Sequence, residues 1–365
     1  MSLDIDRTPA SRASTDRARP RSVVTGTPIR LRRTSFIIRP RVIAIVTVLL
    51  ILSLGLAVLA LLLGSVQVPL SDLVASMFGQ SAEHKHNLVI QNIRFPQVVA
   101  ALSAGAALGV SGAVFQSISN NALGSPDIIG LTTGAATGAI SQIIFFEAGP
   151  IQVTIGALIG GIGTAVVIYL LSLKGGVTGG FRLVLIGIGV GALLSSLNSL
   201  MMVRGDVELA FTANVWISGS VDNVKWDQAL PTLIISLITI PVIAALAKRA
   251  TMVEMGDDMA RQLGVNAEHT RRILILLAVV LAGIATSSVG PISFIALASG
   301  QLAKLLTRSG SITVFASAVM GSFLLMLAHV ITAVLPVHYT LPIGQVTGLI
   351  GGIYLAWLLT RSKQV

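Results

Sequence analysis

From Ser309 to Thr360 the chain runs for 52 residues without an Asp, Glu, Lys or Arg. A helix needs only about 20 apolar residues to cross the hydrocarbon core of a bilayer, so a run of this length belongs in lipid. Pro336 and Pro342 interrupt it and divide it into two spans, because proline breaks the helical hydrogen-bond ladder. Six further uncharged runs precede it, at Val42–Gly64, Gln97–Ser117, Ile128–Phe146, Ala148–Leu173, Leu183–Val203 and Ala229–Ala247. The run from Ile273 to Ala303 is too long for one ordinary span and short for two. With Gly290-Pro291 near its middle, it predicts two shortened helices meeting at a turn. The expectation is therefore an all-α polytopic membrane protein of about ten transmembrane helices, with a disordered basic tail over residues 1–41 and a transmembrane domain over 42–365.

Only 11% of the residues are charged, against about a quarter in soluble domains. A net charge of +10 would suit a nucleic-acid binder, but the basic residues cluster in flanks and loops bordering the apolar runs, which is a topology signal. No nucleic-acid partner is expected. With the tail inside, 21 Lys and Arg fall on the inner side of the ten spans. Four fall outside, at Lys85, Arg94, Arg204 and Lys225. Both termini are thus expected in the cytoplasm, with the first span uncleaved.

Apart from His329, no span as drawn contains an ionisable residue. A gradient-driven secondary transporter, the rival reading, would need such groups at mid-membrane. Their absence argues for an external energy source, yet no Gly-Lys-Ser/Thr phosphate loop occurs, so an ATPase would have to be a separate chain. No nucleophile, base and orienting group are arranged for catalysis, and no cofactor is expected. Cysteine is absent. His84 and His86 lie beside Glu83 in an external loop, where imidazoles are ordinarily solvated, so no metal site is expected.

Small residues recur four apart at Ala101, Gly105 and Gly109, at Gly156 and Gly160, at Gly187 and Gly191, and at Gly344, Gly348 and Gly352. That spacing lines one helical face and lets backbones approach closely. On the fifth span a polar patch of Ser195, Asn198 and Ser199 either faces a substrate pathway or, for Asn198, hydrogen-bonds a neighbouring helix. The segment 249–271 reads as two short helices, with Asp257 and Asp258 opening the first and Gly264 ending it. Its apolar face, Met259 and Leu263 with Val265 at its edge, is too small to fold alone. It requires a partner surface, or else lies on the bilayer as an amphipathic connector.

Four blocks then carry a resemblance over most of the chain, from about Ile93 to Leu359. They are Arg94-Phe95-Pro96 followed by Ala104 to Gly112; Asn121-Ala122-Leu123-Gly124-Ser125-Pro126-Asp127; Met255-Gly256-Asp257-Asp258 to Leu263-Gly264-Val265; and Gly290 to Leu297 paired with Leu341-Pro342-Ile343-Gly344. In order and spacing they resemble the FecCD/BtuC-like family of ABC importer permeases for iron-siderophore and vitamin B12 uptake, and within it the ferric enterobactin permease subunits. The resemblance implies a BtuC-like (type II) permease fold and a second homologous permease subunit, identical or different. It also implies two cytoplasmic ATPase subunits and an extracytoplasmic substrate-binding protein. The implied cargo is a ferric siderophore, with cobalamin or haem as alternatives. Gly256, Asp257, Asp258, Leu263 and Gly264 would couple to the ATPase, and Arg94 would seat the binding protein, unless it only anchors lipid headgroups. The family's second arginine in that external motif is replaced by Gln97.

Overall fold

The computed structural model describes residues 27–31, 34–64, 66, 68–81, 83–174, 177–178, 180–335 and 341–361. Residues 1–26, 32 and 33 of the expected basic tail lie outside the described residues. Its described part is not unstructured throughout, since β1 (Thr27–Leu31) and β2 (Thr34–Ile38) pair antiparallel, with Thr27 opposite Ile38. A second short hairpin joins β3 (Leu173–Lys174) to β4 (Val177–Thr178).

Everything else regular is helical: α1 (Pro40–Leu62), α2 (Leu70–Met77), α3 (His84–Val89), α4 (Phe95–Ser119), α5 (Leu131–Phe146), α6 (Pro150–Ser172) and α7 (Gly180–Arg204). There follow α8 (Val207–Ile217), α9 (Trp226–Glu254), α10 (Asp257–Gln262), α11 (Ala267–Val289), α12 (Ile295–Thr307), α13 (Val314–Val334) and α14 (Ile343–Arg361). Among the described residues seven helices are long and apolar enough to cross a bilayer, and α5, α8, α12 and the first part of α14 are shorter apolar ones. Ten of these eleven correspond one by one to the ten spans expected. The eleventh, α8, has 11 residues and is about 16 Å long, half the thickness of the hydrocarbon core, so it leaves the span count unchanged.

The break at Gly290-Pro291 is where the sequence placed it, but only one of the two helices is short. Helix α11 has 23 residues because Arg271 and Arg272 lie inside its first turns, where long basic side chains can reach water from a helix end. Helix α12 has 13 residues, and its first turn follows a γ-turn centred on Phe294, with φ +76° and an Ile295 N–H to Ser293 carbonyl bond of 2.9 Å. Positive φ at an aromatic residue is strained and persists only where surroundings hold it. Here the ring sits edge-on to Tyr354 at 5.4 Å, over Gly351, where a Cβ would overlap it.

Helix α4 is the axle of the bundle, packed by α9, α11, α12 and α13. Small residues permit this. A Cβ on Gly105 would lie 2.5 Å from the Gly321 carbonyl oxygen of α13, and one on Gly112 would collide with the Ala296 carbonyl of α12. Helices α5 and α6 close on each other the same way, through Gly134, Gly138, Gly156 and Gly160. Gly191 and Gly352 have no such close neighbour, so the four-residue spacing marks tight contact in α4 and α6 but not throughout. The alternating course of the spans gathers α2, α3, α8 and the start of α9 at one end, and α10 with the 308–313 linker at the other.

Candidate functional site

The α10 end is built by two glycines. Gly256 follows α9 with φ +108° and ψ 150°, a conformation that side chains rarely adopt. Asp257 and Asp258 then occupy the first turn of α10, where negative charge complements the helix dipole. At the other end Gly264 takes φ +77°. Its N–H donates to the Arg261 carbonyl, and the Val265 N–H donates to Ala260, each at 2.9 Å, the paired bonds of a Schellman stop. Asn266 caps α11 by accepting the His269 N–H at 3.0 Å. The second short helix expected in this segment is therefore the beginning of α11.

Ala260 packs beneath α10 with Val253 and Ala267. On the other side Met259 and, at the C-cap, Leu263 are exposed, Leu263 by 53%, and their four-residue spacing lines them up, while Met255, exposed too, precedes the turn at Gly256. Large apolar side chains in a row outside the bilayer mark a contact surface. Ion pairs frame it: the Arg271 guanidinium meets Asp257 and Glu268, each at 3.0 Å, and Lys304 of α12 approaches Glu254 at 4.0 Å. In the nearby turn between α4 and α5, burial pushes the Asp127 carboxyl up to about 6, against a hydrogen bond with Thr132.

At the opposite end Arg94 does not point outward. It closes a wide π-type turn, Ile90–Arg94, that runs into α4, and it is only 7% exposed. Its guanidinium donates to the carbonyls of Leu61 at 2.7 Å, Leu62 at 3.3 Å and Val66 at 2.5 Å. Helix α1 ends with carbonyls that lack intrahelical donors, and a cation there is doubly favoured. The arginine expected to seat a partner thus has Nη1 and Nη2 engaged with main-chain carbonyls of its own chain. Gln97 is buried too and donates to the Asp222 carbonyl. His86 is not solvated either; Asp72 and Glu83 face its two ring nitrogens at 3.2 and 3.1 Å.

The polar patch of α7 is split. Asn198 is buried and donates to the Thr133 carbonyl of α5 at 3.4 Å. Ser195 and Ser199 are exposed, and the Ser199 hydroxyl donates to the Ser195 carbonyl at 3.1 Å. Two cavities flank α8, which the sequence reading missed. One of about 500 Å³ reaches Glu147, Trp216 and Gln228, and one of about 410 Å³ reaches Phe211, Asp222 and Gln345.

The chain as a whole has known counterparts. The profile of the FecCD transport family matches residues 48–361. The chain is 38% identical over 301 residues to the ferric enterobactin transport system permease protein FepG of Escherichia coli (strain K12), covering 82% of this chain and 91% of that one. It is 32% identical over 337 residues to the iron(3+)-hydroxamate import system permease protein FhuG of Bacillus subtilis (strain 168), covering 89% and 98%. Among solved structures it superposes on a transporter described as of metal-chelate ABC type, in an inward-facing conformation. The TM-score is 0.77 at 26% identity, covering 87% of this chain and 99% of that one.

Proposed function

The chain belongs to the FecCD transport family, and on that premise we propose that it is the membrane-spanning permease subunit of an ATP-driven importer that carries ferric siderophores into the cytoplasm. The observation that carries the reading is the exposed apolar ridge of Met259 and Leu263 along α10, with Met255 just before it, in a chain whose acid–base pairs, His329 with Asp222 and Lys304 with Glu254, sit toward the ends of the bundle and not at mid-membrane. Energy must then enter through the ridge. Two cytoplasmic ATPase subunits would dock there, against Gly256, Asp257, Asp258, Leu263 and Gly264 within the coupling segment 249–271. This places both termini and the basic residues 1–41 in the cytoplasm, with the transmembrane domain over 42–365. A homologous permease subunit would complete the pathway, and a substrate-binding protein would deliver the chelate to the α2–α3 end.

The test is uptake of ⁵⁵Fe-labelled chelates by a deletion strain with and without the gene. Restoration by the intact chain for a ferric catecholate, hydroxamate or citrate complex, but not for cobalamin or haem, is the expected result. Restored uptake that persists after ATP depletion and stops with an ionophore would replace this reading with a gradient-driven one.

The pathway assignment is narrowed by the geometry of α7. Ser195 and Ser199 are its proposed lining residues, and Asn198 supports α5 behind them. In this cysteine-free chain, Ser195→Cys and Ser199→Cys should react with a membrane-impermeant thiol reagent in the assembled importer at least tenfold faster than Asn198→Cys. Equal labelling at all three positions would remove the distinction.

A further inference from the structure

Helix α10 is attached to its neighbours by two glycine links. Gly256 has φ +108° and Gly264 φ +77°, and a Cβ on either would meet nothing within 4 Å. No side chain braces either link, and at Gly264 only the two backbone bonds of the Schellman stop do, so a displacement of α10 would be partly absorbed there unless something else ties the helix down. The apolar contact beneath it is small: Ala260 against Val253 and Ala267, with Met252 and Val265 at its edge.

The stronger tie is ionic. Arg271 Nη2 lies 3.0 Å from Asp257 Oδ1 at the start of α10, and Nη1 lies 3.0 Å from Glu268 Oε2 in the first turn of α11. The arginine side chain is 15% exposed and that of Glu268 20%, so solvent and salt screen their pair weakly, while Asp257, at 41%, is reached from the water side. The arginine's planar fork serves both carboxylates at once, which a lysine cannot do in the same geometry. The other ion pairs do not substitute. Arg261 and Asp258 are both within α10 and exposed at 3.8 Å, whereas Lys304 and Glu254 join α12 to α9. Beyond Arg271, α11 packs on α4, α6 and α9. At its far end the Val289 carbonyl accepts the Ser220 N–H at 3.0 Å, so a displaced α11 reaches the opposite end of the bundle.

The geometry points to Arg271 as the positioning residue that makes α10 and α11 move as one body, bypassing the Gly264 hinge, an inference that rests on reading α10 as the ATPase-docking element. Arg271→Met should leave the ATPase bound, because Met255, Met259 and Leu263 are unaltered. Uptake should fall at least tenfold while ATP hydrolysis continues uncoupled from import. Arg271→Lys should recover part of the loss. The decisive variant uses the absence of native cysteines: Asp257→Cys with Arg271→Cys should be inactive as thiols and regain at least half of normal uptake when joined by a short bis-thiosulfonate reagent. A role in folding alone would not be rescued by that bridge. Uptake by Arg271→Met within twofold of normal overturns the inference, as does a bridged pair no more active than the unbridged one or release of the ATPase by Arg271→Met. If instead Leu263→Asp retains the ATPase fully, it is the docking reading beneath that fails.

Discussion

Leu263→Asp is expected to abolish uptake while leaving the protein folded in the membrane. Leu263 ends α10 with 53% of its surface exposed, and its neighbours on the ridge, Met255 and Met259, are similarly uncovered. More than half of the side chain is already open, so little intramolecular packing is lost by the change, and insertion and pairing with a sister permease should persist. At a docked interface, however, a carboxylate would replace the central apolar contact and would have to be desolvated without a partner. Losses at such positions are at least about 2 kcal/mol, roughly thirtyfold in Kd. A negative charge at the end of α10 also opposes its dipole, by about 0.5 kcal/mol. The measurement is co-purification of the ATPase together with chelate uptake in the same membranes. Full retention of the ATPase with normal import would refute the assignment of this ridge.

Gly112→Val should have an effect of comparable size by the opposite route, through loss of the protein itself. In α4, 19 of 25 residues are buried, and a Cβ at 112 would run into the Ala296 backbone. The obstruction is main chain within a helix, not the end of a flexible side chain, so α12 would have to move bodily. Ordinary overpacking costs about 1–3 kcal/mol, and displacing a helix from the axle of the bundle should exceed that. The expected outcome is little membrane-inserted protein and an aggregated elution profile in detergent. Gly163→Val on α6 is the control, since nothing lies within 4 Å of a Cβ there and accumulation should be normal. Similar profiles for the two variants would mean that α4 tolerates separation from α12.

The spans could be read from sequence because lipid imposes a rule that needs no tertiary knowledge: about 20 residues without charge. The same rule is blind to α8, which is too short and carries Glu208 between the flanking Asp206 and the rest of the helix. The ends of α10 were legible because Asp257, Asp258 and Gly264 act locally, on dipole and turn. Arg94 was not, because its partners are main-chain carbonyls 28 to 33 residues earlier, and a carbonyl has no sequence signature. The patch at Ser195, Asn198 and Ser199 divides for an angular reason. At 100° per residue, 198 and 199 are about 100° apart around the helix, enough to straddle the boundary between a packed face and a free one. Arg271 was half legible: Glu268, three residues earlier, is a visible helical partner, whereas Asp257 arrives across a turn.

The burial of Arg94 also bears on how the chain is made. Helix α1 buries little of its length, so apolar packing alone holds it weakly to the rest. Its exit carbonyls at Leu61 and Leu62 receive their donors from a side chain 33 and 32 residues later. At the pace of synthesis, about 5–20 residues per second, that side chain follows by a few seconds. Through that interval the end of α1 can be satisfied only by water at the membrane surface, which keeps the nascent helix from sinking or tilting freely. When Arg94 arrives it captures that end and sets the height of α1 against α4. Helix α1 of the nascent protein is thus fixed in place by a span that emerges after it.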